Sequence, residues 1–413
     1  MQKGLLAGLT PRNAILTIIL LSNAFVWYYC ADDILLKIVP AATEDFPARI
    51  QILTASFAGL IGAALVGAKF SRKIANKERF LSLWMMLGML IPFATYLTSS
   101  GNMFGTTLLA LGFGLSLGIG LPACMEYFSK SNPTETRGRL AGMIMLFTGI
   151  SIVVIGSAQG ISLNAQIITL SVWRAFGLIA FVALKPSKIM CSENKTPSYK
   201  DIITNRPFIL YFAPWIMFSL VNYLTTPALN NIAEYVASEE IQNLLPVVQN
   251  GLIAVTAIIA GFVADIVGRK PVAIAGFASL GLGYAVLGLT PDSQLALIFH
   301  TVVNGVAWGA LLVIFVITIW GELSRNAPSE KFYAIGAAPF FVSRFLSFAL
   351  EGVSIPVFSS GNLSPIFSFS AFFLFIAVLP LALADETLPE KIKKTRELRI
   401  YVEKAQEIAQ KYY

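Results

Sequence analysis

About twelve long apolar runs, each followed by a short polar turn, constrain this chain more than any other feature of its sequence. A helix that crosses a bilayer needs roughly 20 mostly apolar residues. The runs are continuous, and backbone groups in lipid must be satisfied within their own segment, so they predict helices rather than barrel strands. The sequence therefore predicts an all-α membrane protein with twelve transmembrane helices, at residues 14–37, 48–69, 80–99, 103–128, 139–160, 172–190, 207–229, 243–264, 271–289, 294–321, 333–357 and 364–384.

The charged residues agree with a chain whose main solvent is lipid. They make up 13% of the 413 residues, about half the share in an ordinary soluble domain. All of the 30 Lys and Arg residues except Lys37, Arg49, Arg174 and Arg344 fall at the N-terminus, in alternate loops or in the tail. Because basic loops stay on the cytoplasmic side, we expect a multi-pass plasma-membrane protein with both termini cytoplasmic. The net charge of +7 is then a topology signal, which argues against nucleic acid as a partner.

A polar stretch near the middle of the chain divides it in two. Residues 191–206 are the longest polar segment before the tail, and features on either side repeat: Gly67 to Lys77 resembles 261–270, and Glu126 corresponds to Glu322. Two parallel halves with a site between them near the midplane are typical of transporters. We predict an N-terminal six-helix bundle (1–190), a cytoplasmic linker (191–206), a C-terminal six-helix bundle (207–385) and a charged cytoplasmic tail helix (386–413).

The charged turn at residues 261–270 is the most informative single stretch. Gly261 is followed by Asp265 and then by Gly268-Arg269-Lys270, all between two apolar runs. This spacing resembles the signature loop of major facilitator superfamily transporters, which joins the second and third helices of each half. The resemblance implies a secondary active transporter with two pseudo-symmetric six-helix bundles, in which this turn takes part in gating.

Five further features resemble the branch of that superfamily that includes sugar porters, organic-anion carriers and aromatic-acid:proton symporters. They are Ile38-Val39-Pro40 with Glu44-Asp45-Phe46, Trp173-Arg174, Glu126 with Arg137-Gly138, Ala307-Trp308-Gly309 with Glu322, and Asp385-Glu386-Thr387-Leu388-Pro389. The resemblance implies that Glu126, Arg137 and Glu322 belong to the inner, gating end of the bundle. It also implies that Trp173-Arg174 opens the sixth helix on the outer side.

The turn of the first half departs from the family pattern. Ser71 stands at the position of the aspartate, and Ile74 stands at the position of the second glycine. The fourth predicted helix also lacks the membrane-embedded arginine that many proton-coupled members carry. Whether the first-half turn takes part in gating is therefore an open question at the level of sequence.

Asp265 has the chemistry of a reversible clamp. At a helix end its carboxylate can accept hydrogen bonds from the start of a neighbouring helix, or it can pair with Arg269. Gly261 permits close helix approach and Gly268 permits a tight turn. The competing interpretation is that the turn only anchors the topology through the positive charges of Arg269 and Lys270.

Asp32 and Asp33 lie in the outer part of the first predicted helix and are candidates for proton coupling. A carboxylate costs roughly 2.5–3.5 kcal/mol at the centre of a spanning helix, so such residues commonly have a function. We predict that one of the two binds a proton outside and releases it inside, and the spacing leaves open which one faces the cavity. The alternative is a hydrated pair at the outer interface that is tied to Lys37.

Arg344 lies near the middle of the eleventh predicted helix. A guanidinium inside the membrane must find an anion or a polar lining, and its planar fork suits a carboxylate. Organic-anion carriers of the superfamily also have an arginine in helix eleven, which Ser343-Arg344 resembles. Arg344 therefore predicts an anionic substrate, and the competing interpretation is a structural pair with Glu351 on the same helix face.

Other polar and aromatic residues within the predicted helices are candidates for a substrate-binding cavity. They are Asn23, Trp27, Tyr28, Asn222, Tyr223, Gln249, Asn250, Asn304 and Trp308. Several of these must instead serve helix packing or the interfacial belts. His300, the only histidine, has a side chain that can titrate near neutral pH, but a lone membrane histidine is more often a packing residue.

Motifs for catalysis and for metal binding are absent from the sequence. Gly114-Leu-Ser116-Leu-Gly118 matches a nucleophile-elbow pattern but lies inside an apolar run, so it predicts helix packing. There is no Walker loop and no zinc-protease motif, and the three cysteines have no metal-binding or disulfide spacing. We therefore expect no enzyme activity, no cofactor and no metal, and a gradient as the driving force.

Three functions remain open. The first is a proton-coupled symporter of a small organic anion, either a carboxylate or an aromatic acid, that works as a monomer in the lipid bilayer. The second is a facilitator or exporter of sugars or drugs, which Trp308-Gly309 and the acidic box after the last helix favour. The third is a sensor or scaffold that binds without transport, for which the altered first-half turn is the only indication.

Overall fold

The chain is helical throughout the part that the computed structural model describes, namely residues 10–74, 76–98, 102–159, 162–186, 197–325, 327–351, 363–388, 398 and 402. Eleven helices of this part are long and apolar enough to cross a membrane, by length and composition alone. A twelfth, α11, coincides with the predicted span 333–357, of which residues 352–357 lie outside the described part. The long helices are α1 Pro11–Ala42, α2 Phe46–Lys73, α3 Lys77–Leu97, α4 Met103–Ser131, α5 Thr134–Ile155, α6 Leu163–Ala183, α7 Arg206–Val236, α8 Glu239–Ile266, α9 Arg269–Leu289, α10 Gln294–Leu323, α11 Glu330–Glu351 and α12 Ser364–Leu383.

Short polar side chains define where several helices begin. The side chains of Asp45, Asn102 and Ser162 accept hydrogen bonds of 2.9–3.2 Å from backbone N–H groups in the first turns of α2, α4 and α6. Such caps satisfy donors that have no partner inside the helix. Isolated polar residues therefore mark the starts of these three helices.

The start of α6 differs from the prediction. The helix begins at Leu163, whereas the sequence predicts residue 172. The added turns contain the polar residue Gln166, which is buried inside the protein. Trp173-Arg174 therefore lies in the middle of α6, and the expectation that this pair opens the helix on the outer side is wrong.

The helices pack as two bundles, α1–α6 and α7–α12. Inside the first bundle, Gly114 and Gly118 of α4 lie directly against the backbone of α2, where a Cβ atom would collide with the carbonyl groups of Ser56 and Leu60. The glycines of the elbow-like stretch thus serve helix packing. The bundles contact each other mainly where α5 packs on α8 and α10 and where α11 packs on α2 and α4.

Helices α4 and α10 are irregular at corresponding positions in the two halves. Helix α4 is interrupted after Gly118 and resumes at Leu121, with Pro122 in its next turn. Helix α10 contains a π-helical segment, Leu312–Thr318. Such interruptions change which side chains face a neighbour and are frequent at functional sites. Both irregular segments face the space between the bundles.

The predicted linker and tail are described only in part. Residues 199–203 form a short helix whose start has a reciprocal cap between Ser198 and Asp201. Residues 191–196 of the predicted linker lie outside the described part, as does the predicted tail helix from residue 389 onward, except residues 398 and 402. The four domain boundaries therefore stay predictions. We call the end of the bundles at which residues 197–206 lie the linker end.

Candidate functional site

A small cavity lies between the two bundles beside the irregular segments of α4 and α10. Its volume is about 50 Å³, which holds only a few water molecules, whereas pockets for drug-sized ligands measure roughly 300–1,000 Å³. The lining is mostly apolar and aromatic and comes from both bundles. Phe25 and Met125 line it from the first bundle, and Trp215, Phe315 and Phe341 line it from the second.

Few polar groups in this cavity are free to bind a ligand. The hydroxyl of Thr148 donates to the carbonyl of Ile144 (2.7 Å), and the hydroxyl of Tyr333 donates to the carbonyl of Ile317 (2.7 Å). The Tyr28 hydroxyl is buried and has no hydrogen-bond partner among the described residues. A buried hydroxyl without a partner is costly, so Tyr28 is the lining residue best placed to bind a ligand atom.

Asp32 and Arg344 form an ion pair that joins the bundles beside this cavity. The Nε atom and one terminal nitrogen of Arg344 both donate to one Asp32 carboxylate oxygen, at 3.2 and 3.1 Å. The Asp32 side chain is 6% exposed and the Arg344 side chain is 34% exposed. Tyr28 lies one helical turn before Asp32, and Phe340 lies one turn before Arg344. Both Tyr28 and Phe340 line the cavity. The pair therefore lies at the end of the cavity that is remote from the linker.

The neighbouring Asp33 has a different environment. Its carboxylate lies 3.2 Å from the ammonium of Lys37, one turn on, and both side chains are more than two-fifths exposed. This is the hydrated arrangement that the sequence left open as the alternative. Of the two aspartates, Asp32 faces the space between the bundles. The predicted pairing of Arg344 with Glu351 involves a side chain outside the described part.

The nine predicted cavity residues are spread over both bundles. Tyr28 lines the central cavity. Asn222, Tyr223 and Trp308 meet in the second bundle, where the Trp308 indole donates to Asn222 (3.0 Å) and packs edge-on against Phe340. The remaining five lie away from the cavity: Asn23 and Trp27 inside the first bundle, Asn304 buried on α10, and Gln249 and Asn250 on α8. Substrate contacts of all nine residues stay predictions.

Arg174 belongs to the core of the first bundle. Its side chain is buried, donates to the Asn23 amide oxygen (2.8 Å) and lies 4.2 Å from the ring of Trp84. Cation–π contact and this hydrogen bond hold the guanidinium in place. The expectation that Arg174 is one of the outer-loop basic residues is therefore wrong. His300 is also a core residue, 4.5 Å from the Tyr284 ring in the second bundle.

Asp265 makes both kinds of contact that the sequence predicts for a clamp. Its carboxylate accepts hydrogen bonds from the backbone N–H groups of Gly138 (2.8 Å) and Arg139 (2.9 Å), at the start of α5 in the other bundle. It also lies 3.1 Å from Arg269 of its own bundle. The positive end of the α5 dipole adds to this attraction.

Arg269 extends the clamp in two directions. It is fully buried, pairs with Glu322 (2.9 Å) and donates to the carbonyl of Thr134 (2.6 Å) in the first bundle. The Glu386 carboxylate accepts hydrogen bonds from the backbone N–H groups of Arg269 (2.9 Å) and Lys270 (3.2 Å). Glu386 lies in the acidic box after the last helix, and its position in the sequence did not reveal a role in the clamp.

Two glycines permit this geometry, and Arg137 shapes the adjoining loop. A Cβ atom on Gly261 would collide with the carbonyl of Gly138, and Gly268 has a φ of +125°, which side chains rarely adopt. The Arg137 Nε atom donates to the carbonyl of Asn132 (3.1 Å), just before α5. Lys270 donates to the carbonyl of Ala382 (2.6 Å) at the end of α12.

A second ion cluster lies at the linker end, next to the altered first-half turn. The Lys77 ammonium is bonded to Glu126 and lies 2.7 Å from an oxygen of Glu330, which begins α11 in the other bundle. All three side chains are at most 6% exposed. The sequence placed Glu126 at this end but did not single out Lys77 or Glu330. The pairing depends on helix packing, so no local motif reveals it.

The short linker helix lies across the same junction. The Tyr199 hydroxyl donates to the carbonyl of Leu65 on α2. Its ring lies under the ammonium groups of Lys69 on α2 (5.3 Å) and Lys331 on α11 (5.0 Å). Burial, with a smaller contribution from the nearby Glu330 charge, raises the pKa of the Tyr199 phenol to about 12. The hydroxyl therefore stays protonated and available as a donor.

The described residues contain no metal site. No group of three or more His, Cys, Asp or Glu side chains in this part of the chain is placed to hold a metal ion. The side chains of Cys30 and Cys124 are buried. The chemistry of the site therefore rests on the ion pair, the phenol of Tyr28 and the apolar lining.

Several solved structures have the same arrangement of helices. The proton:xylose symporter XylE bound to 6-bromo-6-deoxy-D-glucose aligns with a TM-score of 0.66 at 14% identity, over 91% of this chain and 95% of that one. A variant of the E. coli fucose:proton symporter FucP gives 0.66 at 12% identity, over 90% and 99%. The human organic anion transporter MFSD10 (TETRAN) gives 0.64 at 12% identity, over 90% and 100%. No protein-family model and no curated protein sequence matches the chain. The matches confirm the predicted fold.

Proposed function

We propose that this chain, a multi-pass membrane protein with the major facilitator fold, is a secondary active transporter that carries a small organic anion together with protons by alternating access. The observation that carries the proposal is the Asp32–Arg344 ion pair, which joins the two bundles at the edge of the central cavity. The similar solved structures are transporters rather than enzymes, in line with the expectation of no enzyme activity.

The ion pair offers a physical route to coupling. A guanidinium inside the membrane-spanning part needs an anion or a polar lining. While Asp32 is ionised, it fills that role. When Asp32 takes up a proton, Arg344 loses its partner, and a substrate carboxylate can replace it through a two-pronged hydrogen bond. Proton binding and anion binding then favour each other, as symport requires.

The position of the pair connects this exchange with the movement of the bundles. Asp32 lies on α1 of the first bundle, and Arg344 lies on α11 of the second. Exchange of the Arg344 partner therefore changes a contact between the two bodies that move in alternating access. A ligand shifts such an equilibrium only through a difference in its contacts with the two states. Here that difference is the partner of Arg344.

The lining of the cavity favours an acid with an apolar body over a sugar. A sugar presents several hydroxyl groups, and a site that binds one must supply a comparable number of donors and acceptors. The hydroxyls of Thr148 and Tyr333 are already bonded to backbone carbonyls, which leaves those of Tyr28 and the partly exposed Tyr29. The stacked rings of Trp215 and Phe315 form part of the cavity wall. An aromatic carboxylate fits both the wall and the guanidinium.

The predicted topology indicates which side of the membrane the described state closes. By the positive-inside rule the linker end is cytoplasmic. Asp265, Arg269 and Glu330 contact the other bundle at that end. We therefore interpret this conformation as closed toward the cytoplasm, with Arg344 partly exposed toward the outside. The central cavity is too small for an aromatic acid, so binding requires the bundles to separate on the outer side. The monomeric state stays a prediction.

Radiolabelled uptake into proteoliposomes tests the proposal directly. The purified protein is given an inward proton gradient and a panel of benzoate-like acids, short aliphatic carboxylates and neutral sugars. We expect the gradient to drive accumulation of an acid and not of a sugar. Uptake that is independent of the gradient, or confined to sugars or neutral drugs, would instead support a facilitator or exporter. Saturable binding without uptake would support a sensor.

A further inference from the structure

The two halves differ in where they carry the carboxylate that links the bundles at the linker end. In the second half, Asp265 is on the turn itself, and it accepts N–H groups from the start of α5 in the other bundle. At the corresponding position of the first half stands Ser71, which is fully buried and cannot supply a negative charge. The first-half turn therefore needs another source of an anion if it is to make a similar contact.

Glu330 lies where that anion is needed. It is the first residue of α11, which occupies in the second bundle the place that α5 occupies in the first. One oxygen of its carboxylate lies 2.7 Å from the Lys77 ammonium and 3.4 Å from the Ser71 hydroxyl. The same oxygen thus contacts both residues of the altered turn from the opposite bundle.

Lys77 and Glu126 complete the correspondence with the second half. Lys77 bonds to Glu126 inside the first bundle, as Arg269 bonds to Glu322 inside the second. In each half, a cation at the start of the third helix is bonded to a glutamate near the end of the fourth. In each half this cation also contacts a carboxylate that links the bundles: Arg269 contacts Asp265, and Lys77 contacts Glu330.

We propose that Glu330 replaces the aspartate that is missing at position 71. The carboxylate of the first-half contact then lies on α11 instead of α2, and the first-half turn still takes part in gating. The contact closes the linker end because Lys77 and Glu330 belong to different bundles and are both buried. Separation of the bundles at this end would leave Glu330 without its cation. Removal of the Glu330 charge should therefore favour the state that is open at the linker end.

Distances between the bundles measure this equilibrium without any transported solute, so the outcome does not depend on the proposed substrate. Spin labels are placed at the exposed residues Lys73 and Arg206, one on each bundle, in a variant with Cys30, Cys124 and Cys191 replaced by Ala. Pulsed electron paramagnetic resonance then gives the ratio of open to closed distances. Glu330→Gln should raise this ratio about tenfold, a conservative fraction of what loss of a buried ion pair can produce.

A second substitution tests the relocation itself. Ser71→Asp in the Glu330→Gln background returns the carboxylate to α2, where it is within reach of Lys77 because both positions contact the same Glu330 oxygen. We expect this double variant to restore the closed distances. Glu135→Gln, at an exposed acid of the same end, is the matched control and should change nothing.

Each outcome decides the proposal. An unchanged distance distribution in Glu330→Gln would overturn it. Opening that Ser71→Asp does not reverse would also overturn it, because the two positions would then not be interchangeable. If Glu330→Gln alone fails to fold, the double variant still decides: a folded protein with closed distances supports the relocation, and failure of both variants overturns it.

Discussion

The contacts between the bundles at the linker end differ in kind from those at the central cavity. At the linker end, Arg269 and Lys77 are each fixed by acids from more than one helix, and both are nearly inaccessible. Beside the cavity, Asp32 meets the partly exposed Arg344 next to an apolar space. A charge with several protein partners favours one conformation, whereas a pair that borders a cavity can exchange a partner for a ligand. This difference indicates that the linker end closes the molecule and that the central cavity binds the ligand.

Loss of the Arg344 charge should have the largest effect on this comparison. In Arg344→Ala, proton-driven uptake of an acid should fall by about 10- to 100-fold, because the substrate carboxylate loses a charge-assisted hydrogen bond that contributes about 1.5–3 kcal/mol. Arg344→Lys keeps the charge but loses the two-pronged geometry, and it should retain part of the activity. Uptake in proteoliposomes, with folding checked by size-exclusion chromatography, measures both. An equal loss for acidic and neutral solutes would show a structural role.

Neutralising Asp32 should separate coupling from transport. Asp32→Asn imitates the protonated side chain, so it should still exchange labelled for unlabelled acid across the membrane at a rate within about tenfold of the unmodified protein. It should lose accumulation against a gradient, because no carboxylate remains to release the proton. Counterflow and gradient-driven uptake measure the two properties side by side. Asp33→Asn, at the exposed neighbour, is the matched control and should keep both. Full gradient-driven uptake in Asp32→Asn would exclude Asp32 as the coupling residue.

The sequence is sufficient for the fold and for one of the two ion clusters. The second-half clamp is readable because Asp265, Gly268 and Arg269 are neighbours in one turn, so a local pattern carries it. The first-half cluster joins Lys77 to Glu330, and only the packing of α11 on α2 and α4 brings them together. The sequence contains no local trace of such a contact, although the serine at position 71 indicates that something has changed.

The residues beside the central cavity show the same limit of prediction from sequence. The sequence identifies Asp32, Asp33 and Arg344 as costly charges in the membrane, because composition alone makes them conspicuous. It cannot decide which aspartate faces the other bundle, since adjacent helical residues differ by about 100° in direction. The sequence also cannot place Arg174. It predicts that α6 starts close to this residue, whereas the helix starts at Leu163, so Arg174 lies in the core instead of at the outer interface. Residue type was predictable, and orientation was not.

Removal of the Asp265 charge should reduce transport less than the changes at the central site. In Asp265→Asn, the amide oxygen can still accept one N–H from α5, but the ion pair with Arg269 is lost. We expect uptake to fall about five- to tenfold, while folded yield stays within about twofold, because the neighbouring contacts of Arg269 with Glu322 and Thr134 remain. Glu135→Gln serves as the control at the same end. Unchanged uptake would mean that the turn is only a topological anchor and that the comparison holds for the first-half cluster alone.

The smallest effect should come from Tyr199, whose uncharged side chain lies across the junction between the bundles. Tyr199→Phe removes the hydrogen bond to the Leu65 carbonyl and keeps the ring beneath Lys69 and Lys331. A neutral hydrogen bond contributes about 1 kcal/mol, and the ring contacts remain, so the ratio of open to closed distances should change by less than about fivefold. Tyr199→Ala removes the ring as well and should open the linker end further. If Tyr199→Phe instead opens the molecule as much as Glu330→Gln, the linker is a closing element in its own right, and closure no longer rests on the two ion clusters alone.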